Sequence, residues 1–254
     1  MLRRAVTTGS TTTLTLALAV GLVAGCSGSG SGSGGGTSQP KPTAAAPALT
    51  VTEATAAAAA INLTAADLPG YTGKPAAAKT AQDKADAAAF AHCYGGVDPA
   101  LNVLDVASDD FAKGQALSMQ QVSSSVAFVR TAAEGHQDLT AVQSPAAAGC
   151  VKDYVGKAVA SAAGKDLTVA STEVAPLTPA EVAASGTDGA FGYRITVTAK
   201  ASGLTVPFYV DLLGCLKGRT ETTLTVLSVQ SPFPTADRDK LWQLLAARTA
   251  DKAV

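Results

Sequence analysis

From residue 166 onward the chain alternates with a period of two, and residues 191–198 carry the pattern most cleanly. In Phe191-Gly192-Tyr193-Arg194-Ile195-Thr196-Val197-Thr198 the odd positions are apolar and the even ones polar or small. A strand of that kind belongs in an antiparallel sheet with only one face dry. After Ser202-Gly203, residues 204–213 put Leu204, Val206, Phe208, Val210 and Leu212 on one face, and Pro207 among them points to a sheet edge or a bulge. Lys217-Gly218 turns the chain into residues 220–229. With residues 167–174 upstream, these segments predict an antiparallel meander. A final amphipathic helix follows Pro232 and Pro234, with Thr235 as its cap, Leu241, Leu244 and Leu245 facing in and Trp242 flanking that stripe.

The first half reads mainly as helix. Residues 54–61 are alanine-rich, and Thr64 with Asp67 three positions on and Pro69 behind them predicts a single capped turn. Residues 79–92 read as a helix by propensity, ended by Gly95-Gly96. Residues 102–107 and 116–130 read as strands around a polar turn at Ser108-Asp109-Asp110, with Val126 and Phe128 on one face. A helix is expected over 131–142. Another starts at Ser144-Pro145, a cap followed by proline at the first helical position. Within it Cys150, Tyr154, Ala158 and Val151, Val155, Val159 fall three to four apart, a core-facing stripe. The order predicts an α+β domain, an antiparallel β-sheet covered by helices.

The N-terminus reads as an address. Arg3 and Arg4 precede an uncharged apolar run over residues 14–23, which as helix covers roughly 15 Å, half of a ~30 Å hydrocarbon core. That is a secretory h-region rather than a span. Val23-Ala24-Gly25-Cys26 closes it and resembles a bacterial lipobox, whose small residues give the modifying enzymes access to thiol and scissile bond. The resemblance implies cleavage after residue 25 and acylation of Cys26. A diacylglyceryl group on the thiol with a further acyl chain makes a durable anchor at about 0.8 kcal/mol per buried methylene. Residues 26–50, rich in Gly, Ser, Pro and Ala, are expected to be a disordered linker spanning roughly 25–30 Å. Residues 51–254 are the single extracytoplasmic domain. The G-x-G-x-x-G that begins at Gly30 lies inside this tract, with no strand before it and no helix after it, and carries no dinucleotide chemistry.

The formal charge is −1, and removal of Arg3 and Arg4 takes the mature chain to −3. No Lys/Arg cluster stands out, so nucleic acid is not an expected partner. Hydrophobic residues make up 47% but aromatics only 5%, so the core is built largely from methyl groups and gains from a covalent staple. With Cys26 given to lipid, Cys93, Cys150 and Cys215 remain, and three thiols in an exported domain allow three single pairings. We favour a disulfide between Cys93 and Cys150, both in or beside helical segments, which leaves Cys215 as a small buried hydrophobe. A Cys93–Cys215 bridge is the alternative.

The L-T-A-A-D-L-P opening, Cys93, the S-S-S-V-A-F strand with a helix after it, Cys150 and the Tyr193-containing meander together resemble a group of actinobacterial surface lipoproteins. These, like PsbP-like lipoproteins and the sensor ectodomains of some receptor kinases, carry an extracytoplasmic α/β sandwich. The resemblance covers roughly residues 61–248 and implies a sensor-like or binding domain at the cell membrane, on its outer face.

Catalytic chemistry is poorly supplied. His92 beside Cys93 does not make a nucleophilic pair, since neighbouring residues rarely face one substrate and a bridged cysteine has no thiolate. No C-x-x-C, H-x-x-H or H-E-x-x-H spacing occurs, and His92 and His136 are the only histidines. G-x-S-x-G is absent as well. Asp109-Asp110 reads as a solvated turn rather than an acid/base pair. Ser123, Ser124 and Ser125 are either hydroxyls gathered at a ligand or a polar strand edge. Tyr71, Tyr209 and Trp242 are the aromatics to examine at a pocket mouth. The expected role is non-catalytic: binding of a small molecule or lipid in a cavity between sheet and helices, with no cofactor. The alternative is a protein-interaction module of an envelope complex, which calls for an exposed apolar patch instead.

Overall fold

The computed structural model describes residues 49–162, 167–201 and 204–254. The signal segment, Cys26, the linker as far as residue 48 and the Ser202-Gly203 turn lie outside the described residues. Helix α1 (Val51–Ile61) is followed by a 3-10 turn (Ala65–Asp67), β1 (Thr72–Lys74), α2 (Ala81–Tyr94), β2 (Leu104–Ala107), β3 (Asp110–Lys113), β4 (Gln120–Phe128), α3 (Ala132–Val142), α4 (Pro145–Ala162), β5 (Leu167–Pro176), β6 (Gly189–Ala201), β7 (Leu204–Lys217), β8 (Thr220–Val229) and α5 (Thr235–Lys252). The strands form one eight-stranded antiparallel sheet in the order β1-β3-β4-β8-β7-β6-β5, with β2 also on β4. Among the described residues, no helix is long and apolar enough to cross a membrane.

Side chains alternate between two cores. Phe111, Val122, Val126, Leu213, Leu224 and Val226 face α1 and α5. Ile195, Val197, Phe208, Val210, Leu227 and Val229 face the layer containing α2 and α4. The result is a sheet with helices on both faces. Cys93 and Cys150 are bonded across that second layer, with Cα atoms 5.8 Å apart, and Cys215 is free and buried.

Local chemistry sets the helix starts. Thr50, Thr80 and Thr131 each cap a helix, and Glu53, Asp83 and Glu134 three residues on reach back in reciprocal capping boxes. Thr64 and Asp67 do the same for the 3-10 turn, and Asp67 is also held by Arg248 of α5 at 2.7 Å. Thr235, by contrast, is the first residue of α5 rather than its cap; Pro234 holds that position with no side-chain bond. Ser144 precedes Pro145 and its carbonyl accepts the Ala147 N–H. Its hydroxyl has no hydrogen-bond partner among the described residues.

Two further expectations are corrected. Ser108-Asp109-Asp110 is not the turn between two strands. β2 and β3 both lie antiparallel along β4, with Val106 opposite Val126 but Phe111 opposite Val122, so one extra residue is accommodated as a bulge. Ser108 sustains it, because its hydroxyl accepts the Ser124 N–H at 2.9 Å while its own N–H bonds the Ser124 carbonyl at 2.8 Å. The reversal comes later, at Gly114 (φ +79°) and the 3-10 turn Ala116–Ser118. Pro207 sits in an inner strand, not at an edge. It falls where β8 ends: Gln230, at φ 66°, donates to the Pro207 carbonyl and the chain then leaves the ladder, so no strand partner is denied a donor.

The α5 side is fastened by charge. Asp211 on β7 accepts two bonds from Arg194 (2.9 Å each) and one from Arg238 (2.8 Å), and Arg238 is 0% exposed.

Candidate ligand-binding cavities

On the α2/α3 face the centre of the sheet is paved with small or polar residues: Ser123, Ser125 and Ala127 on β4, with Glu221, Thr223 and Thr225 beside them on β8. Where large side chains such as Phe208 and Leu227 give out, helices cannot close down on the strands, and space remains. Two adjoining cavities result, each of about 50 Å³. The first is mostly apolar, lined by Phe90, Tyr94, Val142, Phe191 and Leu212 among others, with Asp138 and Glu221 in its wall. The second lies under residues 76–79 and is lined by Lys79, Asp110, Ser123 and Thr225. Ser125 and Thr223 line both, and their hydroxyls are hydrogen-bonded at 2.6 Å.

The surrounding elements hold the first cavity in shape. Phe90 packs on Tyr154 (4.8 Å between ring centroids) and Tyr94 (4.9 Å), and the disulfide ties their two helices together. Gly96 allows the Tyr94 ring and Asp138 to approach, since a Cβ there would stand 2.3 Å from that ring and 2.9 Å from Asp138 Oδ1.

Asp138 is 2% exposed. Its Oδ1 accepts the Val97 N–H. The Glu221 carboxyl, reaching up from β8, lies within hydrogen-bonding distance of the Asp138 carboxyl. A bond between two carboxyls requires a proton on one of them. Burial pushes Asp138 up to about 7, against the opposing pull of the Val97 N–H. Burial, followed by the charge of Asp138, pushes Glu221 well above the ordinary carboxylate range. A proton shared between the two satisfies that bond and relieves the repulsion, as it does between close carboxyls. Burial likewise raises the Tyr94 phenol, with both carboxylates adding to the effect. Among the described residues neither Asp138 nor Glu221 has an ion-pair partner; Lys79 is paired with Asp105 at 2.6 Å. No group of three or more His, Cys, Asp or Glu among the described residues is arranged to hold a metal ion.

The structure sorts the residues singled out from the sequence. Ser123 and Ser125 line the polar cavity with Asp110. The Ser124 side chain points to the other face, where it accepts the Leu63 N–H (3.0 Å) and donates to Asn62 (2.8 Å). Tyr71 bonds Gln120 at 2.9 Å and packs on the α1/α5 core. Trp242, 0% exposed, is inside that core rather than flanking it, and Tyr209 lies opposite Thr196 and Ser228. None of these aromatics lines either cavity. His92 and His136 are exposed on α2 and α3.

The carboxyl pair is not evident from sequence spacing, although each member leaves a sign. Asp138 occupies the buried stripe of α3 with Gly135 and Val142, spaced three and four apart. Glu221 alternates in phase with Thr223 and Thr225. A carboxylate on an inward stripe is rare enough to mark a site. Neither a protein-family model nor a curated protein matches the chain.

Proposed function

We propose that this protein is a lipid-anchored binding domain of the cell surface, held at the outer membrane face by an acylated Cys26 and carrying its site at the end of a Gly/Ser/Pro-rich linker. The observation that carries the binding role is the pair of adjoining cavities, one apolar and one hydroxylated, with the Asp138 and Glu221 carboxyls together in the wall of the first. Apolar walls with a few convergent polar groups are the usual make-up of small-molecule sites. The exposed large hydrophobics among the described residues, Val51, Leu117, Leu204 and Val254, sit on four separate segments. That scatter favours a small ligand over the extended apolar patch an envelope-protein partner would need. The cavity volumes suit part of a small molecule rather than a whole acyl chain.

Native mass spectrometry of the protein extracted from its own membranes tests this reading. A non-covalent mass lost on denaturation supports it. Repeated absence of such a mass, with protein partners captured by crosslinking instead, overturns it in favour of an interaction module. The denatured N-terminal peptide tests the anchor: an unmodified Cys26, or cleavage elsewhere, removes it.

A further inference from the structure

We propose that the apolar cavity takes the ammonium end of a small organic amine, held by Asp138 and Glu221 against the rings of Phe90, Tyr94 and Phe191. This deepens the binding reading and rests on it. The cavity wall is complementary to such a group. Two carboxyls in one wall repel any anionic ligand. Their four oxygens share only the Val97 N–H and one proton between them. An alcohol offers one hydrogen, whereas a primary ammonium offers three and also supplies the positive charge that no described side chain brings to the pair. Aromatic faces on the same cavity favour a cation further. A hard metal ion is a poor alternative, since calcium takes six to eight oxygen ligands and the wall gathers too few.

Volume limits the occupant. A cavity near 150 Å³ admits benzene, so about 50 Å³ admits the ammonium with two or three carbons. A longer ligand runs on past Ser125 and Thr223 into the hydroxylated cavity. Entry of the cation replaces the proton the pair shares, and that proton leaves to solvent; no covalent bond changes.

The test is a titration of the full chain, with methyl-labelled Leu and Val, by n-propylamine, 1-propanol and propionate at pH 7.5. The expected result is saturable movement of the Val142 and Leu212 methyl signals with propylamine, at a Kd at least tenfold below that of propanol, and none with propionate. Asp138→Asn and Glu221→Gln each weaken propylamine tenfold or more and leave the propanol response in place. Glu221→Gln keeps the test decisive if Asp138→Asn misfolds. Propylamine affinity rises between pH 6 and 8, with proton release to buffer measured by calorimetry. The groups that face the pair and shape that profile are Glu134 of α3, Asp105 of β2 and Tyr94 of α2. Glycerophosphoethanolamine and Nα-acetyl-lysine, as further arms, separate a lipid headgroup and a peptide side chain from a free amine as the ammonium's source. Equal response to amine and alcohol, or wild-type amine affinity in both variants, overturns the ammonium assignment and leaves the binding reading standing. No saturable shift with any probe means a water-filled cavity and overturns the assignment. Only when no co-purifying mass is found either does the binding reading fall with it.

Discussion

Replacing Asp138 by asparagine should make the folded protein more stable above neutral pH, a direction opposite to that of most core substitutions. The folded-state value near 7 stands against an ordinary 3.8, so between about pH 4 and 7 the folded chain holds a proton that the unfolded chain has lost. Stability therefore falls as pH rises through that window, by about 1.4 kcal/mol per unit, and levels off above it. The whole drop is on the order of 4 kcal/mol. Asparagine cannot ionise and its carbonyl keeps the Val97 N–H, so the variant lacks the drop. It forfeits the bond to Glu221, about 1 kcal/mol, and should exceed the parent by roughly 2–3 kcal/mol at pH 8 while falling about 1 kcal/mol short of it at pH 4. Urea unfolding, followed by the fluorescence of Trp242 in the α1/α5 core, measures both. Carboxyls held low in both proteins, such as Asp188 by the Gly218 N–H, cancel in the difference. A raised Asp138 carboxyl is refuted if Asp138→Asn is the less stable protein at pH 8, or if the difference between the two curves does not change between pH 5 and 7.

Three other outcomes are expected. Cys93→Ala with Cys150→Ala frees a loop whose ends are 57 residues apart, and the chain-entropy relation puts the loss at about 4 kcal/mol, read as a lower urea midpoint; an unchanged midpoint would show that α2 and α4 hold together without the bond. Asp211→Ala removes the β7 partner of the fully buried Arg238, which keeps Asp239 at 2.7 Å, and should cost about 1–3 kcal/mol, whereas Arg238→Met with Asp211→Leu should recover much of that loss in the same measurement. Gly214→Ala places a Cβ 2.3 Å from the Phe191 ring, so Phe191 must swing in the cavity wall; about 1–3 kcal/mol of stability goes, and the Val142 methyl signal moves.

The meander was legible because strands β6 to β8 are long and each obeys one rule at a time. Arg194 and Asp211 look like ordinary polar-face residues in that pattern, and only the arrival of Arg238 from α5 turns them into a cluster with Asp211 and Arg238 buried and Arg194 at its rim. The bulge at Ser108 was misread for a related reason. A hydroxyl standing in for a backbone carbonyl leaves the same polar signature as a turn, and the choice depends on β4, a dozen residues downstream. The cavities were beyond the local pattern altogether. Ser123 and Ser125 announce a polar strand face, but the space above them exists because α2 and α3, anchored elsewhere, stop short of it. Asp138 and Glu221 are 83 positions apart in sequence and meet only in the finished fold.

The sheet order also governs when the domain can be completed. Residues 104–128 can pair among themselves as β2, β3 and β4, yet the inner edge of β4 waits for β8, its residues 120–128 meeting 220–228. Strands β5 to β8 form a nearest-neighbour meander whose last strand doubles as the bridge to the first half. A chain emerging from its N-terminus therefore carries an open hydrogen-bonding edge, and a Val122-Val126 surface covered by α1 without α5, until residues 220–228 have been delivered. Nascent intermediates stalled before residue 220 should be the most prone to pair with one another, and a chaperone acting on this protein would find its substrate in β4.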